Sequence, residues 1–98
     1  MSIDGIHITR EDEGNHGKYI ATLPGTSARG RLIWVLKDGA RVARSTQVPK
    51  EIGGRGVAGA LVKALVADAE EQGFKIVPAC SYVEVAFDRH KEWAHLRA

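Results

Sequence analysis

Residues 51–61 read Glu-Ile-Gly-Gly-Arg-Gly-Val-Ala-Gly-Ala-Leu, with glycines at 53, 54, 56 and 59. An apolar segment with helical spacing follows directly. Val57, Leu61, Ala64 and Leu65 fall at i, i+4, i+7 and i+8, while Lys63, Glu70 and Glu71 lie off that face. The period predicts a helix to about Gln72, with Gly73 as its C-terminal cap. A glycine-rich turn that opens a helix leaves several backbone N–H groups unpaired, with the positive end of the helix dipole behind them. Such a turn suits an anion. Arg41, Arg44, Lys50 and Arg55 precede it or lie within it, a fitting neighbourhood for phosphate. The competing reading of the same residues is a tight strand-to-helix turn that holds no ligand.

What precedes the turn looks like strands. Ile6–Thr9 is a β-branched run, and Glu11–Gly14 is a polar turn. Lys18–Leu23 alternates polar with apolar and stops at Pro24-Gly25. Arg31–Leu36 is apolar nearly throughout, as a central strand buried on both faces would be. Asp38-Gly39 marks a tight hairpin, and Arg41–Val48 completes it before Pro49. After the long helix, Phe74–Pro78 is a short strand, expected parallel to the one ending at Val48 because a helix joins them. Ser81–Phe87 and Lys91–Arg97 are weaker helical segments. The order ββββαβα predicts an α+β fold: a mixed, mainly antiparallel sheet, one long helix and short C-terminal helices. Residues 1–98 are expected to form a single domain.

Two phosphate motifs fail on context. Gly54-Arg-Gly-Val-Ala-Gly59 satisfies G-x-G-x-x-G, but the dinucleotide fingerprint wants an all-parallel unit and an acid at the end of the next strand. Here hairpins precede it, and the next strand ends Val77-Pro-Ala-Cys80. An NTPase loop also fails, because Ala60-Leu61 stand where Lys and Ser/Thr are required.

Composition narrows the classes further. The chain is 44% hydrophobic and 27% charged with a net charge of +2, too mild a basicity to imply nucleic acid by itself. One cysteine, Cys80, allows no internal disulfide and fits a reducing compartment. With the four histidines it makes no zinc spacing, so no metal is expected. No apolar run approaches the roughly 20 residues of a membrane span, and the first residues lack a signal-peptide pattern. A cytoplasmic location is expected.

Gly54-Arg-Gly-Val-Ala58, preceded by Thr46-Gln-Val-Pro49 on a strand, resembles the acetyl-CoA-binding segment of the GNAT N-acetyltransferases, Q/R-x-x-G-x-G/A. With Val77-Pro-Ala-Cys-Ser-Tyr82 and Arg89-His90…Trp93, residues 17–97 resemble the smallest GNAT-like proteins, which keep only the cofactor-binding half of the fold. Three positions depart from the pattern. Glu51 stands where Gln or Arg is preferred, Ser45 where the small group often has His, and Lys91 where Pro is common.

The resemblance implies a ligand, acetyl-CoA or coenzyme A, and a place for each part of it. The pyrophosphate would rest on the amides of Gly53, Gly54, Arg55, Gly56, Val57 and Ala58. The pantetheine arm would pair with the strand edge at Thr46, Gln47 and Val48, between two parallel strands that splay apart. The thioester would point toward Pro78–Cys80. Arg89 and His90 would face the adenosine phosphates or an acceptor.

Two residues carry candidate chemistry. Cys80, at the start of a helix, can have a lowered pKa and attack an acyl group; it also reads as a small buried apolar residue. Tyr82 can protonate the departing sulfur in direct transfer to an amine, or be an ordinary helix tyrosine. Trp34 and Trp93 read as core. His7, His16 and His95 have no spacing that suggests a site. The expected activity is acetyl-CoA-dependent transfer of an acetyl group to a primary amine, on a small molecule or a protein lysine. The alternative is a CoA or acyl-CoA-binding module with little turnover. A nucleic-acid-binding domain would need a basic face with exposed aromatics, and the six aromatic residues stand in mostly apolar contexts.

Overall fold

The alternating first half of the chain folds into two connected antiparallel hairpins. In a computed structural model describing residues 5–98, these are β1 (His7–Asp12), β2 (His16–Thr22), β3 (Arg29–Lys37) and β4 (Ala40–Gln47). The apolar period after the glycines gives α1 (Val57–Gln72), then β5 (Lys75–Val77) and α2 (Ser81–Arg89). The sheet order is β1-β2-β3-β4-β5, antiparallel except for the parallel β4–β5 pair. β1 runs on through Glu11 and Asp12, so the expected polar turn begins two residues later. Asp38 and Gly39 both take positive φ, 52° and 79°, the geometry of the tight hairpin expected there. The last segment, Lys91–Leu96, is a 3₁₀ turn, because His90 leaves the helical region at φ −106°, ψ 81°.

All the helices lie on one face of the sheet. Tyr19, Ala21, Leu32, Trp34 and Ala43 point into a core shared with Val57, Leu61 and Leu65 of α1. Val83 and Phe87 of α2 and Trp93 and Leu96 of the last turn close the same core. Gly30 seats the start of α1: a Cβ there would stand 2.5 Å from Val57 Cγ1, so only glycine lets the helix come this close to β3.

The other face corrects one expectation. β3 is not buried on both sides. Leu32 and Trp34 are buried, Ile33 and Val35 are half-buried, and Leu36 is exposed. The apolar run arises instead from cross-strand aliphatic pairs on an uncovered face, such as Val35 opposite Val42.

Arg41 also departs from the phosphate role suggested by its place in the sequence. Its guanidinium is slotted between the rings of Trp34 and Phe74, 3.9 and 4.3 Å from their centroids. It donates to the Tyr19 hydroxyl at 2.9 Å and to Asp12 Oδ2 at 3.2 Å. Tyr19 in turn donates to Asp68 Oδ2 at 2.8 Å, which also accepts from Arg10 Nε at 2.8 Å. Burial, then the bond to the Asp68 carboxylate, raises the Tyr19 pKa well above its ordinary value. Among the described residues no helix is long and apolar enough to cross a membrane. Arg41→Ala empties the slot between the two rings and leaves Tyr19 without a donor. Urea denaturation is expected to show a loss of about 2–5 kcal/mol. A loss below about 0.5 kcal/mol, the level of an ordinary surface substitution, would show that the slot contributes nothing.

Candidate active site

Between β4 and α1 the backbone is held at one point and left open elsewhere. A 3₁₀ turn, Lys50–Ile52, buries Ile52 completely and so anchors the segment to the core. Gly53 N–H closes that turn on Lys50 O, 3.1 Å away. Gly54 and Gly56 then take φ of 75° and 80°, a region that side-chain-bearing residues reach only with strain. Neither has an atom within 4 Å of where a Cβ would sit.

Among the described residues the N–H groups from Gly56 to Gly59 donate no backbone hydrogen bond, and the first bond of the helix is Ala60 N–H to Gly56 O. Gly56 is the N-cap of α1; no side chain caps it, and no acid occupies the first turn. Open space in front, free amides and an unneutralised helix end together fit a phosphate group. Of the basic residues expected here, Lys50 and Arg55 are exposed beside the turn, whereas Arg41 is locked in the core.

The second element is a fork in the sheet. β5 pairs with β4 over three residues only, Ala40–Lys75, Arg41–Ile76 and Val42–Val77. Pro78 follows and has no N–H to continue the ladder. On β4 the register slips between the partners of Ile33 and Trp34, leaving Arg44 as an extra, bulged residue. Beyond the bulge, Ser45–Gln47 pair with β3 and have no β5 partner.

The chain returns at Cys80, whose N–H donates to Ala43 O at 2.8 Å. Cys80 Sγ lies 3.5 Å from Thr46 Oγ1, its thiol donating to the hydroxyl. Burial pushes the Cys80 pKa up. The Thr46 hydroxyl and the N–H groups of Val83, Tyr82 and Thr46 outweigh it, and the net value lies below the ordinary one. When the thiol ionises, the Thr46 hydroxyl can turn and donate to the thiolate.

A third element is a groove of about 100 Å³ between α1 and α2. Tyr82, Arg89 and His90 line it from one side, Gly59, Val62 and Lys63 from the other. His90 stacks on Trp93, ring centroids 4.0 Å apart, and its Nδ1 lies 3.0 Å from Glu92 Oε2. The Tyr82 hydroxyl lies 3.8 Å from where a Cβ of Gly59 would be, and the side chain is 45% exposed. It is therefore not a core tyrosine.

The sequence-selected residues thus fall into three places. Gly53, Gly54, Arg55, Gly56, Val57 and Ala58 form the open turn, though Val57 turns its side chain into the core. Thr46 and Cys80 meet at the fork, with exposed Gln47 and half-buried Val48 just beyond on the same chain. Tyr82, Arg89 and His90 gather in the groove. Cys80 and Tyr82, close in sequence, face different neighbours. Sequence reasoning missed Lys63 as a groove residue, although its spacing of four from Gly59 puts both on one helix face. Among the described residues no cluster of three or more His, Cys, Asp or Glu could hold a metal ion.

A five-stranded sheet forked between parallel β4 and β5, with an open glycine turn leading into the long helix, is the architecture of the GNAT acetyltransferases. A crystal structure of a GNAT family acetyltransferase from Elizabethkingia anophelis with acetyl-CoA bound matches it with a TM-score of 0.65. The match covers 91% of this chain and 76% of that one at 14% identity, a likeness of fold. A family model described as GCN5-related N-acetyl-transferase matches residues 18–96, from β2 to the last 3₁₀ turn. The chain belongs to this family. None of the curated proteins matches the sequence.

The thiol gives a direct test of the fork. Iodoacetamide alkylation of Cys80, followed by mass spectrometry across pH, is expected to show a midpoint below the value of about 8.5 for a free cysteine. Thr46→Val removes the hydroxyl that stabilises the thiolate and is expected to move the midpoint up. An unchanged midpoint would mean that Thr46 does not tune the thiol.

Proposed function

We propose that this chain is an acetyl-CoA-dependent N-acetyltransferase that moves an acetyl group to a primary amine. The observation that carries the reading is the run of amides from Gly56 to Gly59 that, among the described residues, donate no backbone hydrogen bond, ahead of an uncapped helix and beside the β4–β5 fork. Gly54 to Ala58 take the pyrophosphate, while the Gly53 N–H is spent on Lys50 O and only shapes the turn. The open edge of β4 at Thr46, Gln47 and Val48 takes the pantetheine amides. Arg89 and His90, in the groove with Tyr82, face the adenosine phosphates or the acceptor, and Cys80 faces the thioester. The 98 residues act as one domain, and the free thiol suits a reducing, cytoplasmic location.

The chemistry at the thioester has two routes. In direct transfer the amine lone pair attacks the carbonyl carbon, the C–S bond breaks, and the amine's proton passes to solvent. The departing CoA sulfur takes a proton from Tyr82, on the groove side, and solvent reprotonates the phenolate. In the covalent route the Cys80 thiolate attacks first and CoA leaves as a thiolate. The amine then attacks the acetyl carbonyl carbon, the bond to the Cys80 sulfur breaks and restores the thiolate, and the amine's proton goes to the departed CoA thiolate. A CoA-binding module without turnover is the second reading, favoured by the openness of the sheet face, where the described residues form an open recess of about 370 Å³ lined by Glu11, Glu13, His16, Lys18 and Ile33.

Calorimetry and intact mass decide between these. Acetyl-CoA and CoA are expected to bind while NAD and ATP do not, and Gly56→Val is expected to weaken CoA binding at least about tenfold. Its own strain on the fold is about 1–2 kcal/mol, for a side chain held at positive φ. Unchanged CoA affinity in a folded Gly56→Val protein would make the turn purely structural. An acetyl adduct of about 42 Da that disappears in Cys80→Ser marks the covalent route. Slowed turnover in Tyr82→Phe, without an adduct in the native chain, marks direct transfer.

A further inference from the structure

The sheet face opposite the helices carries more information than the absence of cover. Register and alternation place Ile20, Ile33, Val35 and Val42 on it, and Ile20, though buried, lies outside the core cluster. Arg31 follows Ile20 in the same row, and Arg29 lies one row further along β3. Arg44, in the bulge at the mouth of the fork, is also exposed. None of these three guanidiniums has a carboxylate within 4 Å among the described residues. The acids on this side, Glu11 and Glu13, lie at the β1–β2 end beside Lys18 and Ile33, and Glu11 already faces Lys18 at 3.6 Å.

From this surface we infer that the acetyl acceptor is an amine on an acidic protein segment, which lies across the open face of β3 and β4 with its carboxylates on Arg29, Arg31 and Arg44. The inference rests on the transferase reading above. The spacing excludes a small amine as the ligand of all three cations. Arg29 and Arg31 are about 7 Å apart along β3, and Arg44 lies opposite a point four to five residues from Arg29, about 14–17 Å away. That distance suits a short extended peptide.

A second copy of this chain fits poorly, because two such faces would set like charges together. Nucleic acid lacks Trp, Tyr and Phe platforms here, since the only rings that the register places on this face are the imidazoles of His7 and His16, at its margins. Ile20 is buried and Ile33, Val35 and Val42 are half-buried, a poor wedge for a bilayer.

The test uses the full chain, saturating acetyl-CoA, and short peptides with one lysine flanked by glutamate, by serine or by arginine. CoA release gives kcat/KM. The glutamate peptide is expected to exceed the serine peptide by about tenfold or more, with the arginine peptide slowest. Raising salt from about 0.1 M to about 1 M, which shrinks the screening length from about 10 Å to about 3 Å, should remove most of that advantage. The double substitution Arg29→Glu, Arg31→Glu should reverse the ranking and leave acetyl-CoA affinity unchanged by calorimetry. A serine for each arginine gives a second, milder variant.

Equal rates for the glutamate and serine peptides overturn the inference and leave the transferase reading intact. Where no peptide is acetylated, fluorescence anisotropy of the labelled glutamate peptide on the CoA-saturated protein decides. Binding that the double variant abolishes supports the acidic partner while the transferase reading falls. No binding overturns the inference. Binding confined to phosphatidylserine vesicles or to RNA, and lost in the same variant, also overturns it.

Discussion

The three residue pairs that tie β5 to β4 position every group assigned to chemistry, and they do so by ending where they do. At the closed end, Arg41 is itself one of the paired residues, and its guanidinium is packed between Trp34 and Phe74. At the open end, Pro78 removes a donor and the Arg44 bulge adds a residue to β4 alone. Two parallel strands held rigidly at one end and released at the other must diverge. The divergence leaves Ser45–Gln47 without a β5 partner while Cys80 is brought back onto Ala43 and Thr46.

The buried ionic network can thus be understood through its location. An isolated buried charge is expensive, and replacing such a network by apolar groups is often neutral for stability. Here no buried side-chain polar atom lacks a partner among the described residues. The chain Arg10–Asp68–Tyr19–Arg41–Asp12 links β1, β2, β4 and α1. It therefore fixes the far end of α1 relative to β4, while Gly30 lets the near end pack against β3. A helix fixed at both ends presents its open N-terminus at a set distance from the fork.

Much of this was legible in the sequence, and the failures share a cause. Helix α1 and its cap at Gly73, the Asp38-Gly39 hairpin and the parallel β5 follow from periodicity and turn chemistry, which are local signals. Arg41 looked like a phosphate ligand because only the tertiary fold brings Trp34 and Phe74 to its two faces. The Ile33 and Val35 run looked doubly buried because a one-dimensional pattern cannot separate helix cover from cross-strand aliphatic pairing. The bulge at Arg44 has no glycine or other marker to announce it. Cys80 and Tyr82 looked like members of one constellation, but the start of α2 sends one toward Thr46 and the other toward Gly59.

Helices α1 and α2 begin alike, and this ties stability to ligand. Most helices open on Ser, Thr, Asp or Asn, whose side chains satisfy a free amide and contribute about 1 kcal/mol. Here the N-caps are Gly56 and Cys80, and neither has a side-chain cap bond. At Gly56 the unspent amides point into open space, where a phosphate can take the place of the missing cap. At Cys80 the amides of Tyr82 and Val83 stabilise a thiolate, so the anion that completes the cap is the residue's own ionised side chain. A stronger capping residue at Cys80 would stabilise the empty fold and, by neutralising the amides of Tyr82 and Val83, remove the groups that hold the thiolate. At Gly56 any side chain would add strain at φ 80° instead, so there a bound anion supplies what a capping side chain cannot, and its binding to the folded chain adds stability by mass action.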